Sequence, residues 1–209
     1  MNFNLVTNIE QCFIAVRDYV PLSLVYYSHI PTAIVAILLA VFIFIKTEKS
    51  LASKILLAMT ISFSIWSAFD IILWTSYDSR MYMFFWAITI IFEAAVFILS
   101  LYFVYAYIDK KDVSFLIKLI WGIFLLPLVL VMGTRYYLTS FSVVDCVPVE
   151  SPFYNGYVLP LYGAIYLWVV VIIVNRYRKA SRDFKKQIIF LFFGCYCFAG
   201  FIFGWKNNC

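Results

Sequence analysis

The sequence predicts an all-α membrane protein: a polytopic helical bundle of six transmembrane helices with its N-terminus outside. Three observations point there. The 209 residues are 65% hydrophobic and only 13% charged, where soluble domains carry about a quarter charged residues. Apolar runs close to the roughly twenty residues a bilayer demands recur six times. The basic residues gather in alternate connections. The stretch 176–186 sets the frame, with Arg176, Arg178, Lys179, Arg182, Lys185 and Lys186 against the single acid Asp183, between two long apolar runs. Such a stretch cannot sit in lipid, and short loops rich in Lys and Arg stay on the cytoplasmic side.

The chain divides into an N-terminal interfacial amphipathic segment, 1–28, and a transmembrane bundle, 29–209. In the first segment Ile9, Phe13, Val16 and Val20 recur at helical spacing, with Glu10, Gln11, Arg17 and Asp18 between them. That stripe suits a helix lying on the membrane surface. Met1–Glu10 lacks a basic start and an apolar core, so no cleaved leader is expected. The first span is 26–45, with Pro31 in its first turn and His29, the chain's one histidine, at its mouth. His29 reads as an interfacial polar residue, with pH sensing as the alternative. The second span is 55–75. The third, 81–107, is long enough to tilt or project. The fourth, 115–134, holds Pro127, which marks a kink or a packing site. A polar connection follows, 135–152. The fifth span is 154–174, with Pro160 in its outer part, and the sixth is 187–205.

Orientation follows from counting. Twelve of the sixteen Lys and Arg residues fall in the first, third and fifth loops, and the other side holds Arg17, Arg80, Arg135 and Lys206. This places the N-terminus outside. The same distribution explains the net charge of +5 without a nucleic-acid partner. The partner implied throughout is the lipid bilayer, and the location is the cell membrane, crossed several times.

Two ionisable residues lie inside spans, where such groups are functional candidates by default. Asp70 is about five residues from the outer end of the second span, roughly 7–8 Å deep at 1.5 Å per residue. Glu93 is roughly 18 Å from the outer face by the same rise. The offset argues against a close acid pair. Asp70 is expected to reach Arg80 or Arg135. Glu93 has no basic residue at its depth, so it is expected to be protonated or hydrogen-bonded to hydroxyls. Trp66, Asp70 and Trp74 are spaced by four and share a helix face, which suits packing against the third span or a cavity open to the outside. Asp70, Trp74, Glu93 and Trp66 are therefore the ligand-sensing candidates. Cys12 and Cys146 both fall outside, where a disulfide between them is chemically allowed. Cys195 and Cys197 lack metal-ligand spacing and partner histidines. No phosphate loop, Cys/His metal cluster or serine elbow is present, so no catalysis, metal or cofactor is expected.

The order of motifs resembles the N-terminal seven-helix membrane region of bacterial sensor histidine kinases. The matching stretches are Trp66-Ser-Ala-Phe-Asp70 through Trp74, Phe85-Trp86 with Glu93, and Lys118 with Pro127. Next come Asp145-Cys146 with Glu150, and then Arg176-Tyr-Arg-Lys-Ala with Lys186-Gln187-Ile188. The resemblance implies a bacterial plasma membrane location, a seven-helix bundle and a signalling domain inside after the last helix. Six spans place the C-terminus outside, so the chain reads as a sensor region one helix and one output domain short. Without a kinase phosphoacceptor or ATP-binding motif, it would sense a small molecule on the outer side and act through a homodimer or a separate signalling protein. A small proton-coupled transporter or carrier is the alternative, suggested by the central Glu93 with Pro127 and Pro160.

Overall fold

The computed structural model describes residues 22–76, 78–142, 147–179, 181 and 184–189. Five helices carry the fold: α1 Leu22–Lys46, α2 Leu51–Thr75, α3 Ser79–Asp109, α4 Phe115–Val131 and α5 Leu159–Lys179. Strands β1 Leu138–Ser142 and β2 Val147–Glu150 lie between α4 and α5, and a π-helical turn, Tyr154–Val158, leads into α5. Four segments are long and apolar enough to cross a membrane: Ser23–Lys46, Leu51–Thr75, Ser79–Asp109 and Tyr154–Lys179. The protein is a multi-pass helical membrane protein. The sixth expected span has only 184–189 described, a helical stretch in which Ile188 is 1% exposed. The segment 1–21, Cys146 and Arg182 lie outside the described residues.

α1 and α3 run past both of their expected ends, and α2 starts four residues early and ends at Thr75 as expected. Ser50 caps α2 by accepting from the Ser53 amide, and Asp78 caps α3 by accepting from the Arg80 amide. Lys110, in the left-handed conformation at φ 51°, ends α3. α1 begins at Leu22, so Pro31 lies inside the helix and not in its first turn. The 31 residues of α3 make it about 46 Å long, beyond the roughly 30 Å hydrocarbon thickness. α4, with 17 residues, is about 26 Å long and falls just short of it.

α3 is the axis. In its most apolar window 44% of residues are buried, against 6% in α1. On one side it packs against α2, which in turn packs against α1. Phe69 of α2 meets Phe85 and Phe92 of α3 at ring-centroid distances of 5.2 and 5.4 Å. On the other side α3 and α5 run parallel. The buried α3 residues Ala87, Ile90, Ala94, Phe97, Leu101 and Val104 alternate spacings of three and four. Val158, Tyr162, Ile165, Val169 and Ile172 do the same beside them. This is the three-and-four spacing of a packed helix seam. Phe97 stacks on Tyr162 at 4.4 Å, the Trp168 indole donates to the Tyr105 hydroxyl at 3.0 Å, and Arg176 pairs with Asp109 at 2.9 Å. The seam thus runs from one end of the bundle to the other. α4 buries only Trp121 and Leu128 and leaves Phe115, Leu116, Ile123 and Leu130 exposed. Such a face is costly in water and ordinary in lipid.

The polar connection between α4 and α5 folds as an antiparallel hairpin, which the all-helical expectation did not include. Leu138 pairs with Glu150 and Ser142 with Val147, with an irregularity between Leu138 and Ser140. Ser151 ties the hairpin base down: its amide donates to the Tyr137 carbonyl and its hydroxyl to the Tyr136 carbonyl. Phe141 meets Tyr82 of α3 edge-on at 5.7 Å. The hairpin thus caps the end of the bundle where α3 begins. In the π-helical turn the Leu159 amide bonds to Tyr154, five residues back, immediately before Pro160, which has no N–H to donate.

Candidate functional site

The hairpin end brings together most of the ionisable and aromatic side chains flagged from the sequence, in two groups on opposite sides of α3. The first lies between α1 and α2. Asp70 and His29 are each 9% exposed, and His29 Nε2 stands 2.8 Å from Asp70 Oδ2. His29 Nδ1 lies 2.8 Å from the Val25 carbonyl oxygen and 2.8 Å from Ser28 Oγ. The Ser28 hydroxyl itself donates to the Val25 carbonyl at 3.0 Å. Asp70 therefore meets His29, where Arg80 or Arg135 was expected. The reason is the packing of α1 on α2, which sets His29, about two turns into α1, beside Asp70.

Trp66 and Trp74 share the Asp70 face but not its neighbours. Trp66 is half-buried, with its ring 5.8 Å from Phe63 on its own helix. Trp74 packs on the cluster of Leu73 and Tyr82, with Phe85, Trp86 and Phe141. The stripe thus divides, Asp70 turning to α1 and Trp74 to α3 and the hairpin.

The second group centres on Glu93, half-buried on α3 beside the α5 seam, three residues from Ile90 and four from Phe97. Its carboxylate is an electrostatic neighbour of the phenols of Tyr137 and Tyr162, and Glu150 of β2 acts on the same two. Tyr137, at the hairpin base and 2% exposed, has its phenol held well above the usual range, first by burial and then by the charges of Glu93 and Glu150. It is held as a neutral hydroxyl in the field of Glu93 and Glu150. The Tyr162 hydroxyl reaches the Ile90 carbonyl at 3.4 Å. Asp70 meets His29, and Glu93 neighbours Tyr137 and Tyr162. Among the described residues, no three His, Cys, Asp or Glu side chains form a group that could hold a metal ion.

At the opposite end the basic residues take partners. Arg176 pairs with Asp109, and Lys118 pairs with Asp112 at 2.8 Å while lying over the Tyr102 ring at 5.2 Å. Lys185 lies over Tyr177 at 5.3 Å, and Arg178, Lys179 and Lys186 are exposed. The Tyr107 hydroxyl donates to Gln187 at 3.3 Å.

His29 as a partner and the tyrosines around Glu93 were not among the sequence candidates. Depth alone allowed His29 as a neighbour: three residues into the expected first span and five from the end of the second differ by only about 3 Å at 1.5 Å per residue. Tyr137 carried no such signal, since it sits in a connection.

The family model described as the N-terminal 7TM region of histidine kinase matches residues 29–203. No curated protein and no solved structure matches the chain.

Proposed function

The chain belongs to the family of N-terminal 7TM regions of histidine kinases, and from that premise we propose that it is a membrane-embedded sensor that takes its stimulus at the hairpin end. The observation that carries this reading is the family match across residues 29–203. The geometry supports the choice of end. Asp70, Trp74, Trp66 and Glu93 lie toward the hairpin. The continuous α3–α5 seam leads from there to the Asp109–Arg176 pair and the basic stretch. The alternation of basic loops supports an outward-facing hairpin and a cytoplasmic basic end, in a bacterial plasma membrane. A small ligand bound near the two acid groups would bias the packing of α1 on α2, or of α3 on α5, between two arrangements. The shift would reach a signalling partner at the basic end. Nothing in the comparisons supports the transporter alternative.

The test grafts this chain in place of the corresponding helices of a full-length histidine kinase of the family. Autophosphorylation is then measured in membranes against a panel of pH values, cations, amines and short peptides. At least one condition should change the rate several-fold, and Asp70→Asn or Glu93→Gln should abolish that change. A rate indifferent to every condition, together with proton flux in proteoliposomes that Glu93→Gln removes, would defeat the sensor reading.

A further inference from the structure

His29 is the sole histidine of the chain, and both of its ring nitrogens face acceptors. Nδ1 faces the Val25 carbonyl of its own helix, and Nε2 faces the Asp70 carboxylate of the next, each at 2.8 Å. Satisfying this array takes two protons: one on Nδ1, donated to Val25, and one on the line between Nε2 and Oδ2. Whether the second proton rests on nitrogen or oxygen, the pair is neutral, as a buried interhelical contact requires.

Losing one proton breaks the arrangement. A lone pair then faces an oxygen at 2.8 Å, and a net negative charge remains between the helices. The Ser28 hydroxyl provides the second state. It lies 2.8 Å from Nδ1 while bonded to Val25, and can turn to donate to Nδ1 as the ring keeps its Nε2 proton on Asp70. Nδ1 then presents a lone pair to the Val25 carbonyl, so the ring has to withdraw from the α1 backbone. Asp70, bonded to it, has to follow or let go.

We propose that His29, Asp70 and Ser28 form a proton-operated latch between α1 and α2, closed while the pair holds two protons and released when one leaves to water. The latch deepens the sensor reading and rests on it for its purpose: it names the proton as a regulator at the hairpin end. The charged and titratable groups at this end among the described residues include these. From α2 the charged group is Asp70, and α1 adds the phenols of Tyr26 and Tyr27, both exposed. At the same end Asp78 and Arg80 of α3 are exposed. Glu10, Arg17, Asp18, Tyr19 and Tyr77 lie outside the described residues. The sign follows from the proton count. The closed contact holds at lower pH and is lost as pH rises through the titration of the pair, whereas a third proton at strong acid would neutralise the carboxylate and weaken it again.

The sole histidine makes the test direct. The full chain is placed in lipid nanodiscs with histidine labelled in carbon and nitrogen, so that every ring signal belongs to His29. Spin labels go on Tyr27→Cys of α1 and Ala68→Cys of α2, both exposed sites, with the five native cysteines changed to serine. Between about pH 5 and 9, the window of an ordinary histidine, the mean label distance should shift by about 2 Å or more. The shift should coincide with the change in the His29 ring signals. Asp70→Asn supplies a neutral donor to Nε2, so its distance should stay fixed across the range while its helical circular dichroism matches the parent. A ring that titrates at constant distance, a ring that never titrates, or an equal shift in Asp70→Asn overturns the latch. The grafted kinase separates the two levels. A latch that opens while the kinase is indifferent to every condition of the panel, with proton flux that Glu93→Gln removes, supports the latch and overturns the sensor reading. A kinase pH response that survives Asp70→Asn overturns the latch and leaves the sensor reading standing.

Discussion

Replacing either member of the His29–Asp70 pair by leucine removes one side of a contact in which both partners are 9% exposed. In a water-soluble core, breaking a buried ion pair costs about 3–5 kcal/mol, because the remaining charge is stranded. Two features lower that figure here. Interhelical hydrogen bonds in membranes average about 0.6 kcal/mol and reach about 1.7, since the unfolded chain in lipid also finds partners. The pair also sits roughly 7–8 Å from the end of α2, within reach of interfacial water. Each single change, His29→Leu or Asp70→Leu, should therefore cost about 2 kcal/mol. The double change should cost less than the sum of the two, because neither the ring nor the carboxyl is left facing an apolar side chain. The coupling energy expected from the cycle is about 1–2 kcal/mol. Reversible unfolding in mixed micelles, followed by helical circular dichroism, reads all four proteins. Additivity of the two single changes to within about 0.3 kcal/mol would refute the contact as an energetic unit.

Three further outcomes follow from other parts of the molecule. Phe97→Ala removes the ring stacked on Tyr162 at 4.4 Å and should cost about 1–3 kcal/mol in the same assay, below the range for soluble cores because lipid replaces water as the reference; an unchanged midpoint would contradict the α3–α5 seam. The Asp112 carboxyl is held below its ordinary range first by the hydrogen bond from Lys118 and then by that from Tyr102. Its contact should accordingly persist as pH falls through the usual carboxylate range and be lost only lower, and Lys118→Met should move its carbon-detected titration upward; no upward movement would contradict the assignment. Ser50→Ala removes the cap of α2, whose bond to the Ser53 amide is 3.3 Å long, and should cost about 0.5 kcal/mol, the low end for such caps, read as an earlier unfolding midpoint.

The helices were legible because a bilayer leaves few choices. Runs of twenty apolar residues must satisfy their backbone internally, and helices do so within one segment. Their ends were harder to place, since polar caps such as Ser50 and Asp78 lie outside the apolar run that betrays the span. The early start of α1 puts His29 well inside a helix, and the packing of α1 on α2 turns it toward Asp70. The hairpin escaped notice because its strands are short, carry Pro148 and several hydroxyl residues, and pair only through contacts that a linear reading does not see. Asp70 and Glu93 stood out as ionisable groups within spans. Their partners did not, since helix faces become neighbours only once the crossing order is known: α1 on α2, α2 on α3, α3 on α5.

The proposed sensor takes its stimulus at the hairpin end and delivers its output at the basic end, through the α3–α5 seam. The most direct measurement is the autophosphorylation of the grafted kinase in sealed vesicles when only the hairpin-side solution is changed from acid to neutral pH. The expected result is a several-fold change in rate that Asp70→Asn removes. A rate that follows the basic-side solution alone, or one equally responsive in Asp70→Asn, would contradict it.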